Sequence, residues 1–265
     1  GVTKNFFRLN GSSSLISRAE VIEFNDSDIN RVISQVPGVY TQEEDGYGLR
    51  PNIGMRGSGL ERSAKINMME DGILIAPAPY SSPAAYYSPT AGRMESFEIR
   101  KGSSQVKYGP HSTGGAINYV SASIPDNLKF QGNISSGQFG NKFGKFKTGV
   151  SNKNYGIMFQ TVLDGSGGFK TIKGGGSTGF TKNDYLFKAR VNSTNELAAA
   201  ELKVSQTNEI SNETYLGLTW EDFDVDPYSR YRASHKDKMT ANHAQLSLTG
   251  AIKLFTNSDL TTTLY

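Results

Sequence analysis

The stretch Arg93–Ser121, RMESFEIRKGSSQVKYGPHSTGGAINYVS, constrains the fold more than any other part of the chain. Met94–Arg100 half-alternates, which predicts a strand with Phe97 and Ile99 on one side and Glu98 and Arg100 on the other. Gly102, Gly109 and the pair Gly114-Gly115 then interrupt the chain before a second strand, Ala116–Val120. Glycines at such positions mark tight turns where a Cβ would clash, so both strands and their connection are specified within one segment.

Upstream, Ala19–Phe24 alternates well enough to predict a strand, and Asn25-Asp26-Ser27-Asp28 offers N-caps for a helix. That helix places Ile29, Val32, Ile33 and Val36 on one face until Pro37-Gly38 stops it. Residues 1–18, polar and serine-rich, form a lead-in. Ile53–Gly57 and the alternating Ile66–Glu70 read as further short strands. Residues 76–89 contain Pro77, Pro79, Pro83 and Pro89, which exclude sheet and long helix and predict a shaped loop exposing tyrosines. The first half is therefore expected to be an α+β unit.

After Pro125 the pattern changes to alternation over about 128–137, 143–151, 154–164, 184–193, 198–207, 243–253 and 259–265. Tyr185, Phe187, Ala189 and Val191 are expected on an apolar face, with Lys188, Arg190 and Asn192 on the other; Leu246, Leu248 and Ile252 alternate likewise with Gln245, Ser247 and Lys253. Mean hydropathy is only −0.45, yet the chain carries 29 glycines, 13 tyrosines and 14 phenylalanines. That mixture suits antiparallel barrel strands, in which only every second residue meets lipid. Connections near 151–154, 194–197 and 254–258 are short, and those near 165–183 and 208–242 are long. These short and long connections fall on opposite sides, the short-turn, long-loop asymmetry of an outer-membrane barrel. Seven strands cannot close a barrel of the even-numbered bacterial kind, which predicts a fragment with further strands beyond Tyr265.

Arg93-x-Glu95-x-Phe97-Glu98-Ile99, the glycine turn, Tyr108-Gly109 and Gly114-Gly115-x-Ile117-Asn118 together resemble the plug signature of TonB-dependent outer-membrane receptors. Val36-Pro37-Gly38-Val39, Ile53-Gly54-Met55-Arg56-Gly57 and Asp71-Gly72 precede it in that family's order. The resemblance implies an α+β plug domain over 19–124, followed over 125–265 by the N-terminal strands of an antiparallel transmembrane β-barrel, incomplete as it stands, with long extracellular loops near 165–183 and 208–242. It implies a bacterial outer-membrane location and contact with membrane lipid. It further implies the inner-membrane TonB–ExbB/ExbD complex as partner, and a secretion signal and TonB-contacting segment before residue 1. Arg56 is implied to be a plug–barrel contact, held by acidic wall residues. Lys101 stands where the family usually has a second such arginine, and lysine cannot form the planar bidentate fork.

Asp71-Gly72-Ile73-Leu74-Ile75-Ala76-Pro77-Ala78-Pro79-Tyr80 and Thr214–Thr219 look most like the branch that takes up ferric citrate and related iron chelates. The implied ligand contacts are Arg62 and Lys65 on one apex loop and Tyr80, Tyr86 and Tyr87 on the other. Arg230 and Arg232, beside Tyr228 and Tyr231, lie in the longest external loop. Ferric chelates are commonly anionic, and guanidinium groups answer carboxylates with paired hydrogen bonds. Iron enters here as cargo, and no resident cofactor or metal is expected.

Other chemistry finds no support. Basic residues number 28 and acidic 25, interspersed, so there is no nucleic-acid footprint. No cysteine is present for thiol chemistry. Asp222–Ala233 has Pro227 and Ala233 where a calcium loop needs glycine and glutamate, which leaves its acids as a solvated face. Gly174–Gly179 has phosphate-loop spacing but Phe180 in place of lysine, and reads as a flexible loop. His111, His235 and His243 share no metal spacing. The expectation is a transporter rather than an enzyme. The same receptor class carrying a vitamin, a sugar or another metal chelate, a passive porin, and a soluble β-rich module remain the alternatives.

Overall fold

A computed structural model describes residues 11–75, 86–102, 108, 113–255 and 258–265. The chain divides into two compact units between Ala122 and Ser123. The first contains β1 (Ser12–Ile16), α1 (Arg18–Phe24), α2 (Ile29–Ser34), β2 (Val39–Gln42), β3 (Asn52–Met55), β4 (Ile66–Glu70), β5 (Ile73–Leu74), β6 (Met94–Lys101) and β7 (Gly115–Ser121). Its main sheet has the order β1-β6-β7-β4-β5, and β2 pairs with β3 separately. β4 and β7 run parallel, whereas β1–β6, β6–β7 and β4–β5 are antiparallel.

The strand expected over Ala19–Phe24 is the helix α1 instead. Ser17 and Glu20 form a capping box, with the Ser17 hydroxyl 2.6 Å from Glu20 Oε2, and this start signal outweighs an alternating pattern too short to define a period. The predicted lead-in also contributes an edge strand, Ser12–Ile16. For α2 the prediction and the structure agree: Ile29, Val32, Ile33 and Val36 are all buried. They pack in one core with Ile66, Met68, Phe97, Ile99, Ile117 and Tyr119. Phe97 lies opposite Tyr119, their rings edge-on at 5.3 Å.

The half-buried alternation expected of β4 and β6 is absent, because both strands are covered on both faces. All five residues of β4 are buried, as are Glu98 and Arg100 of β6. Burial of these polar groups is compensated locally. Asn118 donates to Glu98 at 3.1 Å and accepts from the Gly72 N–H at 2.8 Å, while the Arg100 guanidinium lies 5.1 Å from the Tyr108 ring centre. Close approach, rather than a turn alone, explains the glycine pair. A Cβ on Gly114 would stand 2.5 Å from Ser58 Oγ and 2.9 Å from the Lys65 carbonyl, and one on Gly115 would strike Met55 Sδ and the Arg100 carbonyl.

Asp28 caps α2, accepting from the Asn30 N–H at 2.8 Å, and its carboxyl is buried against Gly48. Burial, then the neighbouring Glu43 carboxylate, push its pKa up to about 7 from an ordinary 3.8. The folded state thus keeps a proton that the unfolded chain has released. The sign follows: this group's contribution to stability is greatest below about pH 4 and is lost as pH rises to about 7. Urea midpoints of the first unit measured across that window should fall with rising pH, and Asp28→Asn, which keeps the cap, should flatten that part of the slope. An unchanged slope would refute the assignment.

The second unit contains β8 (Lys129–Ser136), β9 (Lys142–Ser151), β10 (Tyr155–Ser166), β11 (Thr171–Ile172), β12 (Phe180–Asn192), β13 (Ala198–Asn212), α3 (Trp220–Val225), β14 (Ser229–Arg230), β15 (Lys238–Phe255) and β16 (Ser258–Leu264). Seven of these strands form an antiparallel meander in the order β8-β9-β10-β12-β13-β15-β16, an open sheet with β8 and β16 at its edges. Each matches one of the alternating stretches read from the sequence. One face exposes Ile157, Phe159, Leu163, Tyr185, Phe187, Val204, Leu246 and Leu248. The opposite face buries Gln160, Lys182, Asp184, Lys188, Lys203, Thr207 and Glu209. An apolar exterior with a polar, charged interior inverts the soluble pattern and is that of a lipid-facing barrel wall. Charges on the buried face are paired across strands, Lys182 with Glu209 at 3.2 Å and Lys188 with Glu201 at 3.5 Å.

The long connections are shorter than predicted, 167–179 and 213–237, because the strands run on past the apolar band. In the extension the outward positions are mostly polar, with Asn183 opposite Asn208 and Asn208 opposite Asn242, and Ile210 an apolar exception. Where both faces are polar, hydropathy no longer alternates, and the strand continues on backbone pairing and cross-strand polar contacts such as Lys182–Glu209.

Candidate functional site

Within the first unit, the segment 56–63 concentrates backbone strain. Among the described non-glycine residues with positive φ are Arg56 (52°), Arg62 (50°) and Ser63 (53°). The left-handed conformation costs an ordinary L-residue about 1–2 kcal/mol, so neighbouring contacts must hold each one. Met55-Arg56-Gly57-Ser58 is a reverse turn with positive φ at both central residues, closed by Ser58 N–H to the Met55 carbonyl at 3.0 Å. The Ser58 hydroxyl accepts from Met55 N–H at 3.0 Å. The Ser63 hydroxyl donates to the Pro51 carbonyl at 2.9 Å and accepts from Ile53 N–H at 3.0 Å.

This turn makes Arg56 exposed. Its guanidinium passes over Gly102, where an added Cβ would lie 2.6 Å from Nη1. Lys101, next to it, is buried and donates to the Pro37 carbonyl at 2.7 Å and the Ser14 hydroxyl at 3.2 Å. Burial, and secondarily the Arg56 charge, lower its pKa. The Lys101 ammonium, expected to be a second plug–barrel contact, is thus engaged within its own unit and adds positive potential beside Arg56.

The implied ligand residues separate into distinct environments. Arg62 is paired with Glu44 at 2.7 Å, and Glu44 also accepts from Asn52 at 2.9 Å. Lys65 is exposed. Tyr86 is 40% exposed, but Tyr87, expected on the surface, is 6% exposed and packs in the hydrophobic core. Residues 87–91 are buried throughout as the chain leads into β6, and Tyr87 begins that buried run. Tyr80 lies outside the described residues, as do most of the proline-rich loop and His111.

In the second unit, the two long connections are joined. β11 pairs in parallel with β14, so Thr171 lies opposite Ser229 and Ile172 opposite Arg230. Arg230 donates to the carbonyls of Pro227 at 2.8 Å and Ser229 at 2.6 Å, and desolvation lowers its pKa. Arg232 is exposed and lies beside Gly174. Asp222, predicted as a solvated acid, remains accessible to solvent and also accepts from the Tyr231 hydroxyl at 2.5 Å and lies 3.6 Å from the Lys173 ammonium. Its pKa is lowered chiefly by the Tyr231 hydrogen bond. The glycines expected to be merely flexible make a defined turn, with positive φ at Gly174, Gly175 and Gly176. Sequence reasoning missed Lys173, Asp222 and Tyr231 as a group, since nothing local signals a parallel pairing between separate loops. Among the described residues no group of three or more potential ligands is arranged to hold a metal ion.

The TonB-dependent Receptor Plug Domain family matches residues 7–116. The vitamin B12 transporter BtuB of Vibrio vulnificus (strain CMCP6) is 25% identical over 163 residues, which is 62% of this chain and 25% of that protein. The ferric citrate transporter FecA in its unliganded form superposes with a TM-score of 0.82 at 18% identity, covering 98% of this chain and 40% of FecA. The ferric yersiniabactin uptake receptor FyuA from Yersinia pestis gives 0.75 at 16% identity, covering 96% of this chain and 40% of FyuA. The chain spans about two fifths of the length of these solved structures and a quarter of BtuB. Residues 7–116 thus carry a TonB-dependent receptor plug domain, and the antiparallel strands that follow it share the fold of the FecA and FyuA structures.

Proposed function

We propose that the receptor takes up a ferric chelate, of the ferric citrate or siderophore class, by TonB-dependent transport energised through the inner-membrane ExbB/ExbD complex. The observation that carries this reading is the loop pair of the second unit. It holds Arg230 on a paired backbone between Tyr228 and Tyr231 and carries exposed Arg232 directly after Tyr231, a cationic, aromatic surface suited to an anionic chelate. FecA's likeness over nearly the whole chain supports it. On the plug side, exposed Lys65 and Tyr86 are the contacts best placed for ligand, with Arg62 available only by exchange with Glu44. Equilibrium binding to the full-length receptor tests the cargo: ferric citrate should bind more tightly than iron-free citrate, and equal affinities would remove the iron-chelate reading. The sequence relationship to BtuB favours a second reading, a vitamin B12-type cargo, which competition with cobalamin in the same assay distinguishes.

Arg56 is proposed as the plug's contact to the acidic barrel wall. Two adjoining cations, Arg56 and Lys101, with Arg56 exposed at a strained turn, call for a counter-charge. Arg56→Gly should relieve the turn and stabilise the plug by about 1 kcal/mol, while uptake falls. Undiminished uptake in a more stable plug would show that the arginine has no such role.

A further inference from the structure

We propose that loops 167–179 and 213–237 are clasped into a single body, in which Lys173, Asp222 and Tyr231 are positioning residues that hold the Arg230 turn and through it present Arg232 to an anionic ligand. The inference rests on the loop pair's proposed role in binding. Three kinds of contact join the loops at different heights. At the base, both the N–H and the side-chain amide of Asn212 donate to the Gly179 carbonyl, at 3.0 and 3.1 Å. Above it, Lys170 donates to the Thr214 hydroxyl at 3.1 Å, and the Phe169 and Tyr228 rings meet edge-on at 6.2 Å. Higher still is the parallel ladder, with Thr171 N–H on the Tyr228 carbonyl and Lys173 N–H on the Arg230 carbonyl, both at 2.9 Å.

Lys173 ends this ladder and binds its neighbours with its side chain as well. Its ammonium is 3.6 Å from Asp222 and 5.4 Å from the Tyr231 ring centre. The Tyr231 hydroxyl donates to Asp222 at 2.5 Å and accepts from Thr219 N–H at 3.2 Å. One lysine therefore fixes both α3, through Asp222, and the segment between the two arginines, through Tyr231. An exposed ion pair alone contributes little, but here it locks backbone already paired in a ladder, and the ordering entropy of both loops is spent before ligand arrives. Ile172, 3% exposed, is the buried apolar residue of the ladder, and Gly176 leaves room for its side chain. Arg230 is spent on the Pro227 and Ser229 carbonyls and fixes the turn, which leaves Arg232 as the guanidinium presented outward.

The test is hydrogen exchange and ligand binding on the full-length receptor carrying Lys173→Ala, Tyr231→Phe or the conservative Lys173→Arg. In the unliganded protein, the first two should raise exchange in 169–174 and in 226–232 together, by about 3–10-fold for the loss of one or two such contacts. Lys173→Arg, which keeps the charge and the ring contact, should restore protection. Faster exchange confined to the segment that carries the substitution overturns the clasp. Ferric citrate affinity should fall about tenfold in Lys173→Ala and recover in Lys173→Arg, although Lys173 is assigned no contact with the ligand. Unchanged affinity with coupled exchange overturns the positioning role. A wild-type receptor that does not bind ferric citrate overturns the cargo reading, and with it the role of the arginines, whereas coupled exchange in that protein still upholds the clasp.

Discussion

Replacing Arg93 with alanine is expected to destabilise the plug by about 3–5 kcal/mol, the cost of leaving a buried charge without its partner. The Arg93 and Glu70 side chains are 0% and 1% exposed, and they meet in a two-point fork, Nη1 to Oε1 at 2.7 Å and Nη2 to Oε2 at 2.8 Å. The pair lies at one end of the main core, under Tyr119, whose phenol is pushed well above its ordinary pKa by burial and further by the Glu70 carboxylate. Truncating Arg93 leaves that carboxylate buried beside a phenol without its two-point fork. The arginine that opens the signature stretch is therefore a bond between β4 and the start of β6, and not a ligand contact. Glu70→Ala should cost a similar amount. The double variant Arg93→Met/Glu70→Leu, which removes both charges at similar volume, should recover most of the loss. Trp220, the single tryptophan, belongs to the other unit, so the measurement should follow exchange of β4, β6 and β7 amides across a urea series. A loss below 1 kcal/mol for Arg93→Ala, or a double variant worse than either single one, would refute this account.

Phe187→Arg is expected to cost about 2–4 kcal/mol of barrel stability when the receptor is folded in a bilayer, the value for a cation at the midplane of a lipid-facing strand. Phe187 lies opposite Phe159 on β10 and Val204 on β13, within the apolar band of the exposed face. On the polar face, Thr249 lies opposite Glu201, so Thr249→Lys gains a counter-charge and should be tolerated. Urea titration of both variants in lipid vesicles, read by heat-modifiable gel mobility, compares them directly. A soluble sheet would give the reverse order, because adding charge to a water-exposed face is harmless. If Phe187→Arg were neutral, the second unit would not be a membrane wall. Large apolar faces left exposed on soluble monomers are rare, and the extent of this one already argues for lipid.

Much of this architecture was legible in local sequence. Seven alternating stretches became seven strands, because with lipid on one face and polar groups on the other each residue's chemistry follows its own direction from the backbone. Helix α2 was legible for the same reason at a period of 3.6: one face meets the core, and Asp28 caps it. The Gly114-Gly115 pair marked a turn, but its close approach to Met55, Ser58 and Lys65 was not legible, because those groups are far away in sequence. Where burial is two-sided, as in β4 and β6, composition no longer shows which face is which. The pairing of Arg93 with Glu70, 23 residues away, is then invisible.

The candidate site shows the same division. Sequence alone identified arginines and tyrosines of suitable chemistry, since side-chain chemistry belongs to the residue. Only the folded chain decided which are available: Tyr87 is in the core, Arg62 is held by Glu44, Lys101 is tied to Pro37, and Arg230 is tied to its own turn. It also brought Thr171–Ile172 beside Ser229–Arg230, a pairing without any local signature. Periodicity determines which way a side chain faces, because that depends on neighbours one or two residues away. Tertiary structure determines what it meets there, because the partner comes from elsewhere in the chain.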